Sequence, residues 1–341
     1  MISSDSFDVL VIGAGVLGLC AAAELTARGR RVCVVDPGGQ NASSVAAGMI
    51  APAFESATEQ SDAERAALLR RARDLWPAFA AAHGLTLDRS PAEWRGADAP
   101  EMAERLLAYG FDAKLDPSGG SLLTHDDWRV EVGDSLNTLR RGVAQVEAQA
   151  LALEPEGAGW RLRTAVGALS GQAAVIATGA APPLGGLSDV ARDVIGQVRP
   201  VRGQIGLTRA RLTAGVVRGH GAYIAPAGEG SLIGATMEPG ERETTPSLPA
   251  AASLLQAASR LVPEPEDLQV EWRVGVRGAT TDGLPLAGEI EPHLLVALAP
   301  RRNGWLLGPA VARTVAEALE GRRDPAFAAA FDPLRFSPPA G

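Results

Sequence analysis

Gly13, Gly15 and Gly18 stand at the spacing Gly-x-Gly-x-x-Gly, directly after the apolar run Phe7–Ile12 and before the helical pattern Leu19–Arg28. A second apolar run, Arg31–Val35, ends on Asp36. The motif has chemical meaning only inside a strand–turn–helix–strand unit, and every part of that unit is present. Gly13 permits the tight turn, Gly15 lets backbone approach a pyrophosphate, and Gly18 lets helix and strand close up. Val16 and Leu17 complete a loop whose N–H groups and positive helix end favour an anion. Asp36 is placed to accept hydrogen bonds from ribose hydroxyls. The unit therefore reads as a dinucleotide site, with NAD and FAD both open at this point. Ala173–Ala180 is a further apolar run ending in Thr178-Gly179, of the kind that closes the nucleotide domain of flavoproteins. Cys20 and Cys33 fall inside the unit and read as small core residues.

The elements around this unit must come from a chain of 341 residues, enough for two domains at roughly 150 residues each. Hydrophobic residues at 46% and charged residues at 21% exclude disordered and fibrous classes. A net charge of -8 argues against nucleic acid or an anionic membrane as a partner. Lys114 is the sole lysine, so one arginine among so many carries little weight by its type alone. The two cysteines form no Cys-x-x-Cys pair, and His83, His125, His220 and His293 show no metal spacing, so no metal site is expected. Neither a Walker A loop nor a Gly-x-Ser-x-Gly elbow occurs. Val9–Leu25 is apolar, but Asp5 and Asp8 precede it and glycines interrupt it, which argues against a signal peptide or membrane helix. A cytoplasmic protein is expected. On that expectation the acceptor sequence Asn41-Ala42-Ser43 is a chance match.

Farther along, Glu59–His83 has helical spacing, His125–Val132 resembles a strand, and Asp134–Val146 reads as a helix capped by Asp134. Short strands are expected near Ala148–Leu153, Trp160–Thr164, Ala173–Ile176, Val198–Leu207, Tyr223–Ala225, Ser231–Thr236 and Val270–Val276. Ala250–Leu261 reads as a helix, Leu294–Leu298 as a buried strand and Pro309–Leu319 as the closing helix. Nucleotide-domain signals thus fall at the start, near residue 175 and at the end, with strand-rich sequence between them. The expected class is α/β with an α+β second domain. A discontinuous Rossmann-like domain (1–80, 145–195 and 275–335) carries an inserted, mostly antiparallel β domain (81–144 and 196–274).

Four matches connect the sequence to a family. The fingerprint Gly13–Gly18 is followed by the small-residue segment Ser43-Ser44-Val45-Ala46-Ala47-Gly48-Met49-Ile50-Ala51-Pro52. Tyr223-Ile224-Ala225-Pro226 precedes Gly234-Ala235-Thr236-Met237-Glu238. Gly275-Val276-Arg277 and Thr281-Asp282-Gly283-Leu284-Pro285 lead to Arg302-Asn303-Gly304-Trp305-Leu306-Leu307-Gly308-Pro309-Ala310, and Pro200-Val201-Arg202-Gly203-Gln204 adds support. On these residues the chain resembles the D-amino-acid-oxidase-like family of FAD-dependent oxidoreductases, and within it the glycine oxidases of thiamine biosynthesis. Two departures stand out. Gly278 follows Arg277 where relatives usually carry proline, in what reads as a loop, and Leu85–Leu123 is shorter than usual.

The resemblance implies non-covalent FAD and hydride removal from the α-carbon of a small amino acid, with O2 reduced to hydrogen peroxide. A D-amino-acid or N-alkyl amino-acid dehydrogenase with another electron acceptor and a flavin-binding protein without turnover are the alternatives. It also implies a homo-oligomer and a functional link to a thiazole synthase. Arg277 is expected to clamp the substrate carboxylate and Tyr223 to donate to it, because a guanidinium fork matches a carboxylate. Met49 and Met237 are expected to line the substrate pocket. Cofactor contacts are expected at Gly13, Gly15, Val16, Leu17, Gly18, Asp36, Ser43, Ser44, Ala47, Gly48, Met49, Ala150, Thr178 and Gly179. The loop Arg302, Asn303, Gly304, Trp305 and Leu306 is expected beside the flavin pyrimidine ring. Arg302 has three readings, a group at the reacting centre, an entrance residue or plain surface charge. Core packing is the competing role for Tyr223 and Met237, and an ordinary strand-end charge for Arg277.

Overall fold

The computed structural model describes residues 7–263 and 268–336; Asp5 lies outside the described residues. The chain divides into two compact units, residues 1–44, 136–201 and 277–341, and residues 45–135 and 202–276.

In the first unit, Phe7–Ile12 is the middle strand of a parallel core. It pairs with Val32–Asp36 on one side and with Gly167–Ile176 on the other, so that Ile12 faces both Val35 and Ile176 across the ladder. Leu294–Leu298 continues the parallel order beyond Gly167–Ile176, and Ala144–Glu147 continues it beyond Val32–Asp36. Near-continuous apolar strands are what burial on both faces requires. Leu10, Ile12, Cys33, Val35, Ile176 and Val296 accordingly share one buried core. Antiparallel Leu286–Glu291 and the strands Ala150–Glu156 and Gly159–Thr164 complete an eight-stranded sheet among the described residues. Burial pushes the Cys33 thiol up to about 11, and burial with Glu24 nearby raises that of Cys20, so both behave as core atoms.

The second unit holds a nine-stranded sheet among the described residues. Five of its ladders are antiparallel, and Val217–Gly219 runs parallel to Ala92–Arg95. Among the described residues no helix is long and apolar enough to cross a membrane. The α/β class with an interleaved, mostly antiparallel second sheet is as expected.

Several local expectations are corrected. The expected helix Asp134–Val146 runs instead from Val132 to Arg141, with Asp134 in its first turn. Gly142 follows, and Ala144–Glu147 is drawn into the parallel sheet, where tertiary pairing outweighs local propensity. Only Trp128 and Arg129 of His125–Val132 form a strand, because the Asp127 side chain caps a neighbouring helix. That helix, Pro52–Thr58, was not expected, nor were Ala99–Ala108 and Asp189–Gly196. Residues 45–80, expected with the first unit, group with the second, since Pro52–Thr58 packs on Ala63–Asp74 and Ala99–Ala108. Residues 136–144 group with the first. The closing helix begins at Gly304, and Pro309 lies inside it. Arg277 and Gly278 lie within the strand Glu271–Ala279, not in a loop.

Close approach of backbone fixes two of the fingerprint glycines, Gly13 and Gly18. A Cβ on Gly18 would stand 2.1 Å from the Gly13 carbonyl oxygen. Gly18→Ala is therefore expected to cost about 1–3 kcal/mol, the usual penalty of overpacking. Gly133→Ala, in a helix with nothing within 4 Å of the added carbon, is expected to stabilise by up to about 1 kcal/mol. Denaturant titration of the two variants against the parent checks both signs.

Candidate active site

The fingerprint loop leaves the carboxyl end of Phe7–Ile12 and opens the helix Val16–Ala27. Strand order reverses at this point: the chain goes from Phe7–Ile12 to Val32–Asp36 on one side, then returns to the other side as Gly167–Ile176. A doubly wound sheet holds its ligand in the crevice at such a switch. Gly13 takes φ +113, and a Cβ there would lie 2.4 Å from the Ala177 carbonyl oxygen. The two loops at the switch therefore touch backbone to backbone. Ala177 N–H donates to the Ile12 carbonyl at 2.8 Å, which brings Thr178 and Gly179 to the same edge. Gly179 has φ +64 and open space where a Cβ would sit.

Polar groups then trim the loop. Asp36 accepts from Ala14 N–H at 2.7 Å through one oxygen and from Gly38 N–H at 2.8 Å through the other. A carboxylate oxygen has a second lone pair, so ribose hydroxyls can still be accepted. Ser43 Oγ accepts from Val16 N–H at 2.9 Å and keeps its own proton to donate. The Asn41 side chain accepts from Ser43 and Ser44 N–H at 3.0 Å each, and Ser44 Oγ donates to the Asn41 carbonyl at 2.9 Å. Asn41 stands out in the sequence only as part of a chance acceptor motif; its role is an Asx turn that sets both serines. Ala150, on its own strand, packs against the core shared by Ile12 and Val35.

The closing helix reaches the same part of the first unit. A Cβ on Gly304 would lie 3.1 Å from Val16 Cγ1, and one on Gly308 would lie 2.9 Å from Cys20 Sγ. Trp305 Nε1 donates to the Ser43 carbonyl at 3.3 Å. Asn303 is buried, and its carbonyl accepts from Leu307 N–H at 2.9 Å, so the helix starts before Pro309. Gly304, Trp305 and Leu306 thus form a first turn, not the expected loop. The true loop is Ala299–Arg302, where Ala299 at φ +58 and Arg301 at φ +52 hold conformations that L-residues rarely adopt. Arg302 is half-buried there. Gly278 carbonyl accepts from Arg301 N–H at 2.9 Å, and a Cβ on Gly278 would lie 2.8 Å from Val198 Cγ1. The departure at residue 278 thus serves close packing of a strand.

These features fit a dinucleotide. Gly15 opens the fingerprint helix with extended backbone, and no acidic residue occupies the first turn of either that helix or the closing one. Neither helix offsets its positive end with an acidic side chain of its own first turn, and the close-packed glycines leave a cradle that side chains would fill.

In the second unit, Gly48 takes φ +70, and a Cβ there would lie 2.3 Å from the Val130 carbonyl oxygen. Ala47 is buried beside it, and Met49 pairs with Arg129. Tyr223 lies opposite Gly234 on adjacent strands, and a Cβ on Gly234 would stand 2.3 Å from the tyrosine oxygen. Met49 and Tyr223 pack on one apolar cluster with Phe54 and Trp94, so the structure brings these two candidates together. Met237 is half-buried just beyond the strand Gly230–Gly234.

A buried polar cluster underlies Met49, and no sequence motif announced it. Glu55 accepts from Arg218 at 2.9 Å, and both side chains are nearly sealed from solvent. Asp127 accepts from Ala53 and Phe54 N–H at 2.7 and 3.1 Å. A cavity of about 10 Å³, room for one water molecule, lies among Met49, Asp88, Asp127, Arg129 and Arg218. Burial pushes the Asp127 carboxyl up to about 7, against the opposing pull of Arg218.

The family model for FAD dependent oxidoreductases (DAO) matches residues 8–318. Glycine oxidase of Geobacillus kaustophilus (strain HTA426) is 31% identical over 94% of this chain and 94% of its own length. The bifunctional protein ThiO/ThiG of Nostoc sp. is 31% identical over 93% of this chain and 53% of its own. The crystal structure of glycine oxidase from Geobacillus kaustophilus superposes with a TM-score of 0.82 at 28% identity, covering 97% of this chain and 99% of that one.

Asp127 supplies a test of the buried cluster. A carboxyl with a folded pKa near 7, against ~3.9 unfolded, binds its proton more tightly when folded, so its contribution to stability falls as pH rises between those values. The stability deficit of Asp127→Asn relative to the parent is expected to shrink from pH 4 to pH 7. Urea midpoints of both proteins across that range check the sign.

Proposed function

The chain belongs to the DAO family of FAD-dependent oxidoreductases, and on that basis we propose that it oxidises glycine or another small amino acid at the α-carbon. O2 takes the electrons to give hydrogen peroxide, and the imino acid feeds thiazole formation in thiamine biosynthesis. The end-to-end likeness to a glycine oxidase carries this reading. A functional link to a thiazole synthase draws support from the Nostoc relative, a bifunctional protein of which this chain spans about half.

Gly13, Gly15, Val16, Leu17 and Gly18 would hold the pyrophosphate on the fingerprint helix, with Ser43 and Ser44 at the same edge. Asp36 would accept from ribose, and Thr178 and Gly179 would pass the cofactor as bare backbone. Ala47, Gly48, Met49 and Ala150 complete the cofactor's surroundings, while Arg302, Asn303, Gly304, Trp305 and Leu306 present the positive end of the closing helix. Bound FAD supplies a two-electron acceptor for the hydride. Everything else falls to this chain's own groups.

Arg277 grips the substrate carboxylate, since two parallel charge-assisted hydrogen bonds fix both its place and its plane. Tyr223 donates a further hydrogen bond to the same group. Met49 and Met237 close the pocket with apolar surface, excluding water and limiting side-chain size. An amine held as the free base needs no protein base for hydride loss, and none is assigned. Fixing the acid end turns the α-hydrogen towards the acceptor, an orientation effect that accounts for much of the barrier lowering.

The decisive experiment is an anaerobic screen of glycine, sarcosine and D-amino acids against the purified yellow protein, followed by exposure to air. Bleaching and rapid return of colour are expected. Bleached flavin that persists in air would replace the oxidase with a dehydrogenase using another acceptor. Failure of every amino acid to bleach would overturn the function. Arg277→Ala is expected to raise KM by about 10- to 150-fold for each hydrogen bond removed, from ~1.5–3 kcal/mol for a hydrogen bond to a charged group. Its flavin absorbance stays intact. Steady-state kinetics on the FAD-loaded variant measure this.

A further inference from the structure

The segment Pro200–Gln204 forms a distinct motif in the sequence but is given no task by the reaction. Arg202, on the strand Arg199–Thr208, is only 3% exposed. Its Nη1 donates to both carboxylate oxygens of Glu238, at 2.7 and 2.8 Å. Nε donates to the Glu243 carbonyl and Nη2 to the Thr245 carbonyl, each at 2.7 Å. One buried cation thus binds three points of a single return segment.

Gln204 binds the same segment at its two ends. Its side-chain amide exchanges hydrogen bonds with Ser247, accepting from the N–H at 2.6 Å and donating to the carbonyl at 3.0 Å. Its backbone N–H donates to Thr236 Oγ1 at 2.9 Å, and its carbonyl accepts from Thr236 N–H at 3.1 Å. Thr236 Oγ1 in turn donates to Glu238 at 2.6 Å. The residues on either side of Met237 are therefore both tied to one strand. Arg202 is buried and Glu238 half-buried, and an ion pair so placed adds little net stability once desolvation is offset, so its return here is geometry.

We propose that Arg202 is a positioning residue that, through Glu238 and with Gln204, holds Met237 as a rigid wall of the substrate pocket and thereby limits the size of the amino acid accepted. This rests on the proposed function above. Arg202 touches no reacting atom. Lysine keeps the charge but cannot reproduce the fork that reaches Glu238, Glu243 and Thr245 together.

The test pairs hydrogen exchange with a specificity ratio, using the FAD-loaded protein, Arg202→Lys and, should that variant fold poorly, Glu238→Gln. Expected are faster amide exchange confined to residues 236–247 and at least a tenfold fall in the ratio of kcat/KM for glycine to that for D-norvaline. The fall should come mainly from KM, with the flavin spectrum unaltered. Met237→Ala should lower the same ratio, and the double variant Arg202→Lys/Met237→Ala should lower it little further. Unchanged exchange in both folded variants overturns the proposal. Faster exchange with an unchanged ratio overturns it too, as does an equal loss for both substrates. Failure of the underlying function is seen separately, in parent protein whose flavin no amino acid bleaches, and it removes this inference with it.

Discussion

The nucleotide-binding half of this protein depends on one close approach, between the backbone at Gly13 and the carbonyl of Ala177. No side chain fits between them, so the carboxyl ends of two parallel strands meet at the point where the sheet changes direction. The other features follow from that approach. The fingerprint helix begins on bare backbone, Asp36 is drawn back to Ala14, and Ser43 caps Val16. The closing helix can lie against the first because its own glycines face Val16 and Cys20. An anion placed there meets oriented N–H groups and two helix ends of one sign.

The second unit achieves rigidity by other means. Its buried charges serve geometry. Glu55 and Arg218 pair out of solvent, Asp127 caps the start of the helix Pro52–Thr58, and Arg202 gathers a return segment. Buried ions carry a desolvation cost that hydrogen bonds must offset, and here the short bonds made by Arg202 go to Glu238, Glu243 and Thr245, all close after Met237. Apolar packing fixes volume, whereas a fork of hydrogen bonds also fixes direction.

Much of this was legible in the sequence, for physical reasons. Phe7–Ile12, Val32–Asp36 and Leu294–Leu298 are buried on both faces, and such strands must be written as unbroken apolar runs. The fingerprint was legible because Gly13 and Gly18 answer to backbone approaches that no other residue tolerates. The strand Ala144–Glu147 was hidden, since it follows a helix after a single glycine turn and is held by its neighbour's ladder. The start of the closing helix was misplaced because proline usually begins a helix, whereas Pro309 lies inside this one. The Glu55–Arg218–Asp127 cluster left no trace, because its members are distant in sequence and share no spacing. Arg202 was visible as part of a motif, yet its partners lie beyond the strand Gly230–Gly234 and only folding assembles them.

The interleaving of the two units has a consequence for how the chain is made. Leaving the ribosome at ~5–20 residues per second, the polypeptide delivers Phe7–Ile12 long before Gly167–Ile176, and Leu294–Leu298 later still. All segments of the second unit have emerged by residue 276. Phe7–Ile12 must therefore wait unpaired on one edge until Gly167–Ile176 emerges. Long-range parallel pairing of this kind is slow and leaves sticky edges exposed. For that interval one edge of the strand stays exposed, and the helix Gly304–Leu319, made later still, is the one that packs on Val16–Ala27.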